Sequence, residues 1–287
     1  MANHCRQYYI LTIFLISLLS CIKENYDSCV DYGKYRVIFY DIDSSYFRHS
    51  YNVIIYPIAL KENIAQKACM YVRPADNNLL YSEKTLKLYP MDYAFKALMS
   101  RHEMNPDDDL VKLNNGEAYF FADCPGRIRK ASENRVGLNF GLFNSLVRII
   151  CNLSHDSEGE YEISKVEITP PDNIGIILNI NSGKCNYAQN VSDFYEECTF
   201  ESNAGYIFIY YCVPIIKSNY LNFRVHVDNI VTKKATVLYA KAFLNKNIEQ
   251  GKVYEFRFNV TPYDIVYKSS SVLDWSDYIT ATEFTFN

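Results

Sequence analysis

The sequence predicts an all-β protein built as sandwiches or Greek-key barrels, and three observations carry that expectation. Tyr and Phe supply 26 and 17 of the 287 residues, an aromatic weight that suits half-buried pleated surfaces better than helices. Apolar and polar residues alternate with period two in the clearest runs. Leu221-Asn-Phe-Arg-Val-His-Val-Asp228 puts Leu, Phe and both Val on one face, and Tyr254-Glu-Phe-Arg-Phe-Asn-Val-Thr261 alternates in the same way. Short apolar runs are punctuated by turn clusters such as Asp76-Asn-Asn78 and Thr169-Pro-Pro-Asp-Asn173, without the strand–helix alternation that a parallel α/β sheet requires. Gly is scarce at 10 residues, but 26 Asn offset this because Asn tolerates left-handed turns.

In chain order, strands are expected over 35–40, 52–58, 67–72, 85–88, 118–122, 146–153, 162–168, 174–180, 206–213, 221–228, 235–243, 254–261, 264–267 and 279–286. The stretch from Met91 to Met104 supports two readings. Ala94 and Leu98, and Phe95 and Met99, have helical i, i+4 spacing, whereas Tyr93-Ala-Phe-Lys-Ala97 alternates as a strand. The basic, turn-like segment Cys124-Pro-Gly-Arg-Ile-Arg-Lys130 marks the expected domain boundary. It divides the chain at residue 132 into an N-terminal β-sandwich, 34–132, and a C-terminal one, 133–287.

The N-terminus reads as an address. Arg6 precedes an apolar run from Tyr8 to Leu19, shorter than the ~20 residues a spanning helix needs and suited to the core of a signal peptide. Residues 1–20 are therefore expected to be removed on export. Leu18-Leu19-Ser20-Cys21 resembles a bacterial lipobox, which makes Cys21 the expected acylated N-terminus and 21–33 a lipidated tether. More than one acyl chain gives stable anchoring. The expected location is the outer membrane, exposed at the cell surface, where Lys23-Glu24 resembles the short signals of exported lipoproteins.

Nine cysteines occur. Setting aside Cys5 and Cys21 leaves an odd number, which forbids complete internal pairing. Cys151 and Cys212 lie in apolar runs and are expected in the core. Cys29 with Cys124, and Cys185 with Cys198, are candidate disulfide pairs, the first pinning the tether and the second closing a loop.

The mature chain shows no Gly-x-Ser-x-Gly elbow, no phosphate loop, no His-Glu-x-x-His and no Cys-x-x-Cys. No catalytic residue, metal or cofactor is expected, and the protein is expected not to be an enzyme. With 29 basic against 33 acidic residues the net charge is −4, so no basic field exists to gather phosphates and nucleic acid is not an expected partner.

Several segments, taken in order, resemble one family. The Leu-Leu-Ser-Cys21 junction is followed by Ile22-Lys-Glu-Asn-Tyr-Asp-Ser-Cys29 and Asn115-Gly-Glu-Ala-Tyr-Phe-Phe-Ala122. Val136 to Ile150, Tyr161-Glu-Ile-Ser-Lys-Val-Glu-Ile168 and Gly251 to Val260, leading to Asp274-Trp275, complete the series. Together they resemble the fimbrillin superfamily of type V pili and its fimbrial anchor lipoproteins.

The resemblance implies two transthyretin-like β-sandwich domains and a structural role in a surface fimbrium, as anchor or accessory subunit assembling by β-strand addition. It implies other fimbrial subunits as partners, the outer membrane through the N-terminal lipid, and a host or bacterial surface ligand in cell adhesion. In stalk subunits of the family, cleavage after an arginine releases the first strand. Arg48 is the position here that matches, although anchors keep their lipid and are not cleaved. The segment from Ile279 to Phe286 is the expected donor strand. A different function class stays open beside this one: an outer-membrane glycan-binding lipoprotein associated with nutrient uptake, for which the Tyr content supplies platforms and the single Trp275 few.

Overall fold

A computed structural model of the chain describes residues 33–43, 49–113, 117–154, 160–169, 174–189, 201–203, 206–213, 220–244 and 248–277. At 169, 174–176, 185–189, 201–203 and 206–213 the backbone alone is described. The strands in chain order are β1 (Tyr35–Asp41), β2 (Tyr51–Ala59), β3 (Ile64–Ala65), β4 (Cys69–Arg73), β5 (Lys87–Leu88), β6 (Asp92–Ser100) and β7 (Leu110–Leu113). They continue with β8 (Phe120–Arg127), β9 (Glu133–Leu138), β10 (Gly141–Leu142), β11 (Ser145–Leu153), β12 (Tyr161–Thr169), β13 (Ile174–Asn179) and β14 (Lys184–Gln189). The last are β15 (Glu201–Asn203), β16 (Tyr206–Val213), β17 (Tyr220–Asn229), β18 (Ala235–Phe243), β19 (Lys252–Val260) and β20 (Ile265–Asp274). The all-β expectation holds. Among the described residues no helix is long and apolar enough to cross a membrane.

The N-terminal part has three layers. A sheet ordered β5-β1-β9 shares a core with the larger sheet β10-β8-β6-β2-β3, in which β4 also pairs with β2. Val37 and Phe39 of β1, Val53 and Ile55 of β2, and Tyr93, Phe95, Ala97 and Met99 of β6 meet there. The other face of the larger sheet is covered as well. Ile54, Tyr56 and Leu98 pack with Leu113 of β7, Leu178 of β13 and Ile180 just after it, so the sheet β14-β13-β7 forms an outer layer. Burial on both sides explains why β2 reads as a nearly continuous apolar run.

The stretch from Met91 resolves as a strand. Residues i and i+4 share a face in a strand as well as in a helix, so the pairs Ala94/Leu98 and Phe95/Met99 did not discriminate. The intervening Ala97 and Tyr93, both fully buried beside Phe95, complete the period-two side.

The basic segment from Cys124 to Arg127 also differs from its expected turn: it is the second half of β8, paired with β6 from Asp92 to Phe95. Its outward positions carry Asp123, Pro125 and Arg127 while the inward ones end in Cys124 and Gly126, and the mixture imitates a loop composition. Gly126 is required by packing, because a Cβ there would lie 2.7 Å from Cε2 of Phe95. Strand pairing then runs across residue 132 rather than stopping at it. β9 lies parallel to β1 from Arg36↔Glu133 to Asp41↔Leu138, and β13 pairs with β7.

The C-terminal part is a sandwich of β15-β16-β11-β19-β20 against β12-β17-β18. The alternation in β17 and β19 delivers Phe223, Phe256 and Phe258 to its core, with ring centroids 5.2 and 5.0 Å from Phe223. Aromatic pairs in this arrangement add to the burial of their area. Cys151 is fully buried there, and burial pushes its thiol up to about 12, which makes it an inert small hydrophobe.

The two parts are joined by Trp275, which follows the last described strand yet packs in the first core with Leu146 and Val253. Its ring lies 6.5 Å from Phe120, and its backbone N–H donates to Gly251 O at 3.0 Å. Gly251 turns with φ +68°, a conformation that favours glycine.

Candidate functional site: the seat of β1 and the open strand edges

Strand addition needs either a strand that leaves or an edge that is free, and both kinds of element can be placed. β1 is flanked on one side by the full parallel ladder of β9. Its other side is paired with β5 only at Tyr35↔Leu88 and Arg36↔Lys87. Beyond β5, an irregular segment takes over through Val37 N–H to Leu86 O at 3.0 Å, Leu80 N–H to Phe39 O at 3.1 Å and Asp41 N–H to Asn78 O at 2.8 Å. That segment bulges away from β1 and leaves a cavity of about 230 Å³ beside Val37, Tyr71 and Leu80. On its far side a groove of about 620 Å³ runs along β4, floored by Ala68, Met70 and Leu86.

The end of β1 is fixed by a buried ion pair. Arg73 Nε donates to Asp41 Oδ2 at 3.0 Å, with both side chains fully shielded from solvent. Arg73 Nη1 also donates to Pro74 O at 3.1 Å, and Asp41 Oδ1 accepts from the Asp43 N–H at 3.2 Å. Burial pushes the Asp41 carboxyl up to about 6, against the pull of the Arg73 charge and the Asp43 amide. A charge pair out of water is costly to make and more costly to break. The sequence carried one signal for it: in Cys69-Met-Tyr71-Val-Arg73, period two places Arg73 on the same inward face as Tyr71.

Among the described residues, two long sheet-end strands lie in the C-terminal sandwich. β20 ends the five-stranded sheet and β18 ends the three-stranded one. In β20 every residue after Ile265 is exposed; among the described residues no further strand hydrogen-bonds to its outer side, although β18 of the facing sheet comes near it. The strand contains no proline and only two charges, Lys268 and Asp274, but its register with β19 shifts at Lys268, so a bulge and a lysine guard part of this edge. A groove of about 360 Å³ beside it is lined by Leu244, Tyr254, Ser270 and Val272, among others.

The remaining sequence-derived site residues are placed unevenly. Cys21, Cys29, Arg48 and Cys198 lie outside the described residues, as does the expected strand 279–286. By sequence, Arg48 falls between the end of β1 and the start of β2. Cys124, opposite Phe95, carries a free thiol whose sulfur accepts from the Asn139 N–H at 3.4 Å. Cys185 is in β14 opposite Leu178. Among the described residues no group of three or more His, Cys, Asp or Glu is placed to hold a metal ion.

No family model matches the sequence, and no curated protein matches it. Solved structures do match. A candidate cell adhesion protein from Bacteroides uniformis superposes with a TM-score of 0.60 over 85% of this chain and 99% of its own, at 13% identity. This chain has that protein's fold. A second candidate cell adhesion protein, from Bacteroides ovatus, superposes with a TM-score of 0.58 over 84% of this chain and 98% of its own, at 10% identity. The fimbrial anchor protein Mfa2 from Porphyromonas gingivalis aligns over 84% of this chain and 97% of its own at 12% identity, with a TM-score of 0.40.

Proposed function

We propose that this protein is a structural, non-enzymatic cell-surface lipoprotein, an anchor or accessory subunit of a type V fimbrium, held on the outer membrane by lipid at Cys21. The observation that carries this reading is the edge of β20, unpaired among the described residues, on a fold shared over 85% of the chain with a candidate cell adhesion protein. An extended segment of another subunit adds to such an edge through main-chain hydrogen bonds, while alternate side chains fix its register. The segment 279–286 is the natural donor to a neighbour. The buried Asp41–Arg73 pair supports the anchor form over a cleaved subunit, because it resists departure of β1, so Arg48 stays uncut.

Immunogold labelling of intact cells tests the reading. Label is expected at filaments or at their bases. Label spread uniformly over cells and never associated with filaments would contradict it.

A further inference from the structure

The outer side of β18 is a more regular edge than that of β20. β18 ends the three-stranded sheet and pairs with β17 along its whole length, from Tyr220↔Phe243 to Asp228↔Ala235, without a register shift. It contains neither proline nor glycine, and Lys241 is its one charge. β20 of the facing sheet comes near it but takes its ladder from β19, so among the described residues no strand hydrogen-bonds to the outer side of β18. Main-chain groups of alternate residues therefore point away from β17. A long edge without a bulge is a template for another strand.

The side chains of β18 indicate which strand that is. Leu238 and Ala242 face the second core, with Ala240 packed against it. Val237, Tyr239, Lys241 and Phe243 face out, and the three apolar ones are 38%, 71% and 59% exposed. Large apolar side chains at such exposure on successive outward positions mark a contact surface rather than scattered surface apolars. Cations on this face already lie against rings. Lys241 Nζ is 3.6 Å from the Tyr220 centroid and 5.1 Å from that of Phe243, and the Arg224 guanidinium is 5.9 Å from the Tyr239 ring.

We propose that β18 pairs antiparallel with β18 of a second copy of this chain, with Ala240 opposite itself on a two-fold axis normal to the sheet. Residues directly opposite each other then share a face. On the outward face Tyr239 meets Lys241 of the second copy and Val237 meets Phe243, and the symmetry makes each pair twice. On the inward face Leu238 meets Ala242, a large side chain against a small one. A ring opposite a β-branched residue and a ring opposite a cation are both favourable cross-strand pairs. Because Arg224 is opposite Tyr239 within one copy, the Tyr239 ring then lies between Arg224 and Lys241 of the second copy.

The neighbouring symmetric register, with Tyr239 opposite itself, sets Val237 against Lys241 and Ala235 against Phe243, and it loses both kinds of match. The edge is therefore complementary to itself in one register. Pairing makes one continuous sheet from the three strands of each copy. Unlike addition of a donor strand, a two-fold contact closes at two copies and builds no filament. It uses the three-stranded sheet alone, and the main-chain groups of β20 belong to the other sheet.

The test is analytical sedimentation of residues 21–287 carrying Cys21→Ser, so that no acyl chain drives association. A dimer is expected, dissociating at about 1–100 μM as suits a contact below about 1,200 Å². Tyr239→Lys sets like charges opposite each other and is expected to weaken it about tenfold or more. Tyr239→Lys combined with Lys241→Tyr puts ring opposite cation again and is expected to restore the dimer to within about threefold. Leu60→Ala, 55% exposed in the N-terminal part, is expected to associate as the unmodified chain does, and thermal midpoints of all variants at monomeric dilution are expected to agree. A monomer at every concentration up to about 1 mM would leave the edge to a strand of another protein and overturn the proposal. A dimer indifferent to Tyr239→Lys would place the contact elsewhere, and a dimer not restored by the double change would reject the register; either result overturns it too.

Discussion

Arg73→Leu is expected to cost about 3–5 kcal/mol of folding stability, the usual penalty for removing one partner of a buried pair. The change leaves the Asp41 carboxyl with no exposure to solvent and without its 3.0 Å partner. Urea denaturation at neutral pH measures the loss, and a cost below about 1 kcal/mol would show that the pair is not shielded. Asp41→Leu combined with Arg73→Leu is expected to recover most of it, since a buried pair replaced by apolar groups of similar size is often neutral.

The pH dependence has a defined sign. The folded carboxyl titrates at about 6 against an ordinary 3.8, so between those values the folded state holds a proton that the unfolded chain has lost. Stability from this group is therefore largest below about pH 4, declines as pH rises to about 6, and is level above. Asp41→Asn is expected to remove that decline. Structurally, the pair couples the end of β1 to β4, so the same variants are expected to loosen the strand whose departure would open the first sandwich.

Trp275→Ala is the second large effect, expected at about 3–5 kcal/mol as for other buried aromatic truncations. Trp275 is 6% exposed, lies against Phe120 and closes the first core from a position after the last strand of the second. Truncation leaves a cavity at the junction of the two parts. Thermal unfolding and recovery of the protein in purified filaments are both expected to fall. A variant with an unchanged midpoint would show that the junction does not depend on the indole.

The parts of the fold legible in the sequence were those with one buried face and one wet face. β17 and β19 alternate because Phe223, Phe256 and Phe258 all point into one core. β9 was missed because only Val136 and Leu138 among its residues are apolar and inward, and it gains its place from parallel pairing with β1, about a hundred residues earlier in the chain and invisible to local pattern. β7 and β14 were missed for similar reasons: one is four residues long, and the other reads Lys-Cys-Asn-Tyr-Ala-Gln.

Of the candidate sites, the β1 seat was hidden because a buried Asp and Arg look like any surface charges until the inward face is known. The aromatic–basic face was hidden because both sides of β18 are partly apolar. Leu238 and Ala242 face the core, while Val237, Tyr239 and Phe243 face water, and only the register decides which is which.

The central claim, a lipid-held structural subunit of a surface filament, is tested most directly by the intact mass of the protein recovered from purified filaments. The account predicts a chain that starts at Cys21, carries its acyl chains and is uncut at Arg48. An unlipidated N-terminus would contradict the lipoprotein claim, and a chain beginning at His49 would contradict the anchor role.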